Sequence, residues 1–180
     1  VAPDNRKGYL ALARLRGAQG DTDGAREALV EGVERTGSTG LRMALATVEE
    51  RTGNVEAAIA QYRAVLRRQP GFDVAANNLA SLLADSDPTP EELEEAFRAA
   101  KRLRGAELPQ FQDTYGWILH LRGDSEAALP VIESAAEGLP EHPIVQYHLG
   151  AVLAELGETA RARVALRRAI EAAGESPLPQ

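Results

Sequence analysis

The sequence predicts an all-α protein built as an array of stacked helical hairpins, and two observations lead to this prediction. The first is a glycine followed by Asp, Asn or Glu, which recurs with an alanine five positions after the glycine. These glycines are Gly20, Gly53, Gly123 and Gly157. The first two are 33 residues apart and the last two 34, and the gap of 70 between the pairs has room for one disguised copy. Self-similarity at this period is the signature of a helical-repeat array.

The second observation is the spacing of apolar residues within one copy. Between Pro143 and Gly157 they recur at three- and four-residue steps, which is typical of an amphipathic helix. They are Ile144, Tyr147, Leu149, Val152, Leu153 and Leu156. A turn follows at Gly157, and a second alanine-rich helix ends near Gly174. Small alanines let two antiparallel helices approach closely, so the unit is a helical hairpin.

The elements are predicted in chain order. Residues 1–5 are interpreted as the remnant of a preceding repeat, and residues 175–180 as a C-terminal tail outside the helical pattern. Five hairpins fill residues 6–174. Their predicted boundaries are about 6–38, 39–72, 73–108, 109–142 and 143–174.

The third hairpin is the irregular one. Residues 85–90 replace its glycine turn with a longer, proline-containing segment. Thr89 and Glu92 have capping-box spacing, and Pro90 suits the first helical position because a proline there loses no hydrogen bond. We therefore expect a new helix at Pro90, and a local loop before it that leaves the array continuous.

The hairpins resemble the tetratricopeptide repeat (TPR). The residues that carry the resemblance include Leu12-Ala13, Leu45-Ala46, Gly116, Leu149-Gly150, the four glycine turns, Pro70 and Pro140. The resemblance implies a right-handed α-solenoid of about five TPR hairpins with about ten helices. It also places an alanine at the closest approach within each hairpin, so these alanines are predicted to be nearly inaccessible. They are Ala25, Ala58, Ala96, Ala128 and Ala162.

Composition excludes several classes of function. A net charge of −7 and a pI near 5.1 argue against nucleic acid as the main partner, because phosphate binding needs a concentrated basic surface. The arginine-rich segments 63–68 and 161–168 are interpreted as solvated helix faces. The absence of cysteine excludes disulfides and thiolate metal sites. No apolar run is long enough for a membrane span, and any targeting segment is expected to lie outside this sequence.

A narrower resemblance is carried by the segments 77–80, 113–119 and 147–150. They are similar to the C-terminal repeats of large bacterial TPR lipoproteins that accompany exosortase and exopolysaccharide systems. That resemblance implies a periplasmic or outer-membrane-associated assembly protein, whereas a cytoplasmic location is expected without it. Tyr115, where that pattern usually has leucine, is a departure.

The sequence contains no recognisable catalytic or metal-binding motif. His120, His142 and His148 include no pair at helical i, i+4 spacing. Ser81, Asp113 and His148 are not accompanied by a nucleophile elbow, and each glycine turn ends a helix instead of forming a phosphate loop. We therefore predict no enzymatic activity, no cofactor and no metal.

The TPR resemblance places side chains of the first helices on a concave, partner-binding face. The candidate contacts with a protein or peptide ligand are Asn77, Asn78, Ser81, Asp113, Trp117, His120, Tyr147 and His148. A carboxylate clamp, as in TPR co-chaperones, is not expected, because Leu10, Ala44 and Val74 occupy places where the clamp has polar or basic residues. Asn78 alone matches a peptide-binding asparagine, and it is open whether it binds peptide or bonds within the helix stack.

Trp117, the only tryptophan, has two interpretations. It is either an anchor for a ligand or a packing residue against the neighbouring first helix near Tyr147, and both roles are compatible. The predicted function is a non-catalytic protein- or peptide-binding scaffold in the assembly of a larger complex. The alternatives are a self-assembly module that forms homo-oligomers through its end repeats and a structural spacer in a bacterial export or surface-sorting system.

Overall fold

The computed structural model describes residues 5–85 and 87–174, which form ten α-helices and one short 3-10 helix. In chain order the α-helices are α1 (Arg6–Ala18), α2 (Thr22–Thr36), α3 (Thr39–Arg51), α4 (Val55–Arg68), α5 (Asp73–Ala84), α6 (Pro90–Ala100), α7 (Pro109–Leu121), α8 (Ser125–Gly138), α9 (Pro143–Glu155) and α10 (Thr159–Ala173). The predicted all-α class and helix number are confirmed. Residues 1–4 of the predicted remnant, Ser86 of the predicted loop and the predicted tail at 175–180 lie outside the described residues.

The chain folds as two compact units, Val1–Leu79 and Ala80–Gln180, and the division falls within α5. In the first unit, α1 packs on α2 and α3 packs on α4, while α2 joins the two hairpins by packing on α3. In the second unit, α7 packs on α8 and α9 packs on α10, with α8 against α9 and α7 also touching α9. The continuity of one array through α5 stays a prediction.

The glycine turns have the backbone that the repeat pattern requires. Gly20, Gly53, Gly123 and Gly157 have φ angles of 79°, 76°, 85° and 77°. This left-handed conformation is nearly free of cost only for glycine, which lacks the β-carbon that clashes there. Two of the turns add a side-chain cap, since Asp21 accepts a 2.8 Å hydrogen bond from the Gly24 amide and Asp124 a 3.2 Å bond from the Ala127 amide.

Small residues mark the closest approach of the helices. The five alanines predicted to be inaccessible are between 0% and 4% exposed, as expected from the repeat register. Gly116 allows a similarly close contact between α7 and α8, because an added β-carbon would lie 2.5 Å from Cγ1 of Ile132. The same relation holds between Gly150 and Leu166, at 2.6 Å. Close packing at these points leaves no room for a larger side chain.

The irregular third repeat has the predicted helix start, and its second helix continues into a short 3-10 helix. Thr89 and Glu92 form both hydrogen bonds of a capping box, and Pro90 is the first residue of α6. The α-helix stops at Ala100, and residues 101–103 continue as a 3-10 helix. Leu103 remains 2% exposed, so the tighter turn still delivers an apolar side chain to the interior.

One buried carboxylate links two helices and a turn of the first unit. Glu49 on α3 is 3% exposed. Its Oε1 accepts a 2.9 Å hydrogen bond from Nε of Arg26 on α2, and its Oε2 accepts a 2.8 Å bond from Nδ2 of Asn54 before α4. A buried carboxylate is tolerated because its lone pairs are occupied in this way.

Glu49→Ala is expected to lower the free energy of unfolding by about 1–3 kcal/mol, because Arg26 and Asn54 lose their acceptor. The matched control is Glu56→Ala, which removes an exposed carboxylate from the first turn of α4 and is expected to cost less than about 1 kcal/mol. Urea denaturation followed by circular dichroism measures both changes. Equal stabilities of the two variants would contradict a structural role for Glu49.

Candidate functional site

An aromatic cluster lies on one side of α7 and α9 in the second unit. It consists of Trp117, His120, Tyr147 and His148. The Trp117 and His148 rings are stacked, with their centroids 4.0 Å apart and their planes 13° from parallel. The Trp117 centroid is 5.0 Å from that of His120 and 6.0 Å from that of Tyr147. Trp117 is half-buried, so this packing fixes one part of the indole and leaves another accessible.

The helical register explains how α7 supplies two rings of the cluster and the carboxylate beneath it. Asp113, Trp117 and His120 are four and three residues apart, which places them on the same helical face. Asp113 is buried beneath the cluster, where its Oδ1 accepts a 2.9 Å hydrogen bond from Nδ1 of His148 on α9. Both residues are less than 10% exposed. The pair fixes the orientation of the imidazole on which Trp117 stacks.

His120 is held from α8. Its Nδ1 lies 2.8 Å from Oγ of Ser125, the first residue of α8. Burial lowers the pKa of His120 below its ordinary value of 6.5; Glu155 raises this pKa in part and His148 lowers it further. His120 is therefore mostly neutral at pH 7, which suits hydrogen bonding and ring contact better than ion pairing.

This lowered pKa gives a direction to the pH dependence of stability. As the pH falls below about 6.5, His120 becomes protonated in the unfolded chain before it does so in the folded chain. The free energy of unfolding therefore declines until the pH has fallen below the pKa of His120 in the folded chain. Wild type is expected to lose more stability between about pH 7.5 and about pH 5.5 than His120→Asn, as measured by urea denaturation at each pH. His142→Asn, which removes an exposed histidine, is the matched control. Equal losses in wild type and His120→Asn would contradict the assignment.

The cluster does not assemble a hydrolytic triad from the described residues. His148 bonds to Asp113, but the serine at hydrogen-bonding distance, Ser125, is bonded to His120 instead. Within residues 5–85 and 87–174, no three His, Cys, Asp or Glu side chains come together in a way that would hold a metal ion. The arrangement brings aromatic rings and hydrogen-bonding groups together on one side of α7 and α9.

An open acidic pocket adjoins the cluster. It has a volume of about 290 Å³ and is lined by Gly123, Asp124, Ser125, Glu126, Glu155 and Leu156. The Asp124 carboxylate is engaged in capping α8. Glu126 and Glu155 are exposed and form no ion pair within the described part of the chain. They give this edge of the site a negative charge.

The other predicted contacts lie on α5. Asn77 and Asn78 belong to the first unit and are half-buried, and Ser81 is exposed. Nδ2 of Asn78 donates a 2.9 Å hydrogen bond to the Tyr62 hydroxyl, which in turn donates to Glu50. The sequence left open whether Asn78 binds a peptide or bonds within the helix stack, and the structure shows a hydrogen bond within the helix stack.

Sequence reasoning did not identify the residues that support the site. Ser125 was not predicted to hold His120, and Tyr62 was not predicted to engage Asn78. The signal that could have identified them is a hydroxyl group at a repeat position that is otherwise apolar or small. Ser125 and Tyr62 are 6% and 0% exposed and both carry such a group. A buried hydroxyl requires a hydrogen-bonding partner.

Several solved structures share the fold. MamA (41-end) from Desulfovibrio magneticus RS-1 matches with a TM-score of 0.74 and 14% identity over 94% of this chain and 95% of that chain. YrrB, described as a TPR protein with an unusual peptide-binding site, matches with a TM-score of 0.72 and 16% identity over 97% and 89%. PilF from Pseudomonas aeruginosa matches with a TM-score of 0.72 and 19% identity over 94% and 77%. Likeness at these identities shows the fold alone.

Comparisons of sequence identify the family. No curated protein matches the sequence significantly. One tetratricopeptide repeat family model matches residues 10–71, 43–107 and 122–177, and a second matches residues 109–134. No helix in the described ranges is both long and apolar enough to span a membrane. The matches cover most of the chain, which therefore belongs to the tetratricopeptide repeat family.

Proposed function

We propose that this chain is a non-catalytic scaffold that binds a peptide segment of a partner protein at the aromatic cluster, as part of a larger assembly. The TPR fold is that of protein-interaction scaffolds. The observation that carries the proposal is the half-buried Trp117, stacked on a histidine that is itself held by a buried aspartate. An anchor that is already ordered loses little conformational entropy when a partner binds.

The chemistry of the surface specifies the kind of segment. The indole of Trp117 and the ring of Tyr147 offer apolar faces with polar edges, a combination that is enriched at binding hot spots. The adjoining Glu126 and Glu155 favour a basic side chain. The preferred ligand is therefore an extended or helical peptide with an apolar or aromatic residue close to a lysine or arginine.

The roles of the predicted residues follow from their exposure. Trp117, His120 and Tyr147 are half-buried and are proposed as direct contacts. Asp113 and His148 are buried and are proposed to position Trp117. On α5, Asn77 and Asn78 of the first unit, and the more accessible Ser81 of the second unit, each remain proposed as further contacts.

The experiment is a selection of peptides from a displayed random library against the purified chain, followed by affinity measurements on synthetic versions. The selected peptides are expected to share an apolar or aromatic residue next to a basic one. Their affinity is expected to fall with added salt, because exposed charge pairs are screened. It is also expected to fall with Glu126→Gln, because this substitution removes one of the negative charges that favour the basic side chain. Peptides without these features, or peptides insensitive to Trp117→Ala, would contradict the proposal.

A second candidate function is self-assembly, and one observation favours it. Val164 and Ile170 on α10 are 54% and 62% exposed, so the last helix of the described residues presents apolar side chains that another copy would cover. Analytical ultracentrifugation tests this function. A mass that rises with concentration and returns to the monomer value in Val164→Lys would favour assembly, whereas a monomer at all concentrations would exclude it for this chain.

A further inference from the structure

One edge of α10 exposes an apolar residue at a position that is buried in two other repeats. Ile170 lies thirteen residues after the glycine of its turn. The residues at the same distance in α2 and α8 are Val33 and Ala136. Each of these two is 7% exposed, whereas Ile170 is 62% exposed. The position is therefore an interior one wherever a further helix packs against it.

In both units the first helix of the next hairpin covers this position. Val33 belongs to a buried cluster with Leu41 and Leu45 of α3. The matching alanine of α8 is clustered with Val145 of α9, and Leu149 packs against the same cluster. The two covering residues are four apart in each case, so they lie on one face of the following helix. A pair of aliphatic side chains thus makes the apolar part of the contact.

A second position shows that charge is also matched across this contact. Six residues after its turn glycine, α2 has Arg26, whose Nε lies 2.9 Å from Oε1 of the buried Glu49 on α3. At the same two positions, α8 and α9 have Leu129 and Leu153, which pack in one apolar cluster. The two positions therefore differ together between repeats: an arginine meets a carboxylate in the first unit, and a leucine meets a leucine in the second.

On α10 this second position is charged. Arg163 lies six residues after its turn glycine, is exposed, and forms no ion pair within the described part of the chain. Arg167, one turn further along, is exposed as well. Glu171, the only acidic residue of α10, is eight residues from Arg163 and therefore more than two turns away. The edge combines an exposed aliphatic residue with an uncompensated guanidinium group.

We propose that this edge of α10 binds an amphipathic helix of a partner protein, with two aliphatic residues four apart and a glutamate four residues after the second. This is the pattern with which Leu41, Leu45 and Glu49 of α3 cover α2. Burial of Ile170 supplies the apolar contact, and a carboxylate beside Arg163 supplies a charge-assisted hydrogen bond. The proposal goes beyond the function assigned to the aromatic cluster, because it concerns a different helix and a different kind of ligand.

A second copy of this chain fits the edge less well than such a helix. In assembly between copies through their end repeats, α1 would make this contact. The α1 residues at the positions of Leu41 and Glu49 are Gly8 and Arg16. Gly8 has no side chain to cover Ile170, and Arg16 would bring a second positive charge towards Arg163. Size and charge therefore favour a different protein as the occupant.

The test uses a synthetic peptide with the sequence of residues 38–52, which contains α3 and both of its caps, acetylated and amidated at its ends. It is titrated into ¹⁵N-labelled protein and followed by NMR. The amide signals of α10 are expected to shift and saturate. The same peptide with Glu49→Lys is expected to bind at least fivefold more weakly, although the net charge of −7 on the protein would by itself favour the more basic peptide. Equal binding of the two peptides, or shifts confined to other helices, would overturn the proposal.

A charge exchange provides the matched variants. Arg163→Glu is expected to weaken binding of the original peptide at least fivefold and to bind the Glu49→Lys peptide within twofold of the original pair. Arg168→Glu is the control, because it makes the same change on the same helix at an exposed position about 140° around the axis; it is expected to leave binding within twofold. Thermal melts confirm that both variants are folded. Absence of the rescue, or equal weakening by Arg168→Glu, would overturn the proposal.

Other occupants of the edge give different results. A mass that rises with concentration in wild type but not in Ile170→Glu would show that a second copy covers the edge and would overturn the proposal. Sedimentation with phosphatidylglycerol vesicles that is lost in Arg163→Glu would assign the edge to an anionic membrane and would also overturn it. Trp117→Ala is expected to leave binding of the helical peptide within twofold, which keeps the result independent of the aromatic cluster.

Discussion

Trp117→Ala is expected to weaken the capture of a selected peptide at least tenfold. The indole is the largest ring of the aromatic cluster, and its stacking on His148 at 4.0 Å orients it before any ligand arrives. Aromatic anchors at interfaces commonly contribute more than about 2 kcal/mol each, which corresponds to a factor above ten in affinity. Fluorescence anisotropy of a labelled peptide measures the change.

The same substitution is expected to leave the chain folded. Trp117 is only half-buried, so its removal should cost less than the about 3–5 kcal/mol of a full aromatic truncation in a core. Ile170→Ala is the matched control, because it removes an exposed apolar side chain from α10 in the same unit. If Trp117→Ala unfolds the protein, or if Ile170→Ala weakens capture equally, the binding role of Trp117 is contradicted.

Ala128→Leu is expected to lower the free energy of unfolding by about 1–3 kcal/mol through overpacking. Ala128 lies on α8 and is 0% exposed. Ile132 on the same helix already packs closely on α7, since a β-carbon added at Gly116 of α7 would lie 2.5 Å from Cγ1 of Ile132. Three additional carbon atoms require the α7–α8 hairpin to open. Chemical denaturation followed by circular dichroism measures the loss.

The neighbouring residue provides the control for this prediction. Ala127 is exposed on the same helix, so Ala127→Leu adds the same atoms to solvent and is expected to change stability by less than about 0.5 kcal/mol. Wild-type stability of Ala128→Leu would contradict the repeat register in which this alanine lies at the closest approach.

The fold was predictable because its determinants are local in sequence. The φ angles of the turn glycines, the capping box of Thr89 and Glu92, and the burial of Ala25 and Ala58 all follow from patterns within one repeat. The early end of α6 at Ala100 was not predicted, since the apolar spacing up to Leu103 is compatible with both an α-helix and a 3-10 helix over so short a segment.

The candidate site was only partly predictable, because its contacts join residues far apart in the chain. The hydrogen bond between Asp113 and His148 spans 35 residues, and its formation depends on the register of α9 against α7. Sequence placed both residues on first helices but gave no measure of that register. Arg68 is exposed, as expected for a solvated arginine face, but its Nη1 also donates to the carbonyl oxygen of Gly37 at the end of α2, a contact over 31 residues that the repeat pattern does not indicate.

The binding role of the aromatic cluster is tested most directly by the fluorescence of Trp117, the only tryptophan in the chain. A selected peptide without tryptophan is titrated into the protein while the indole emission and the anisotropy of a label on the peptide are recorded together. We expect the emission of Trp117 to shift and to saturate at the same peptide concentration as the anisotropy, because the ligand covers the indole. Saturation of the anisotropy with unchanged Trp117 emission would show that the peptide binds elsewhere and would contradict the account.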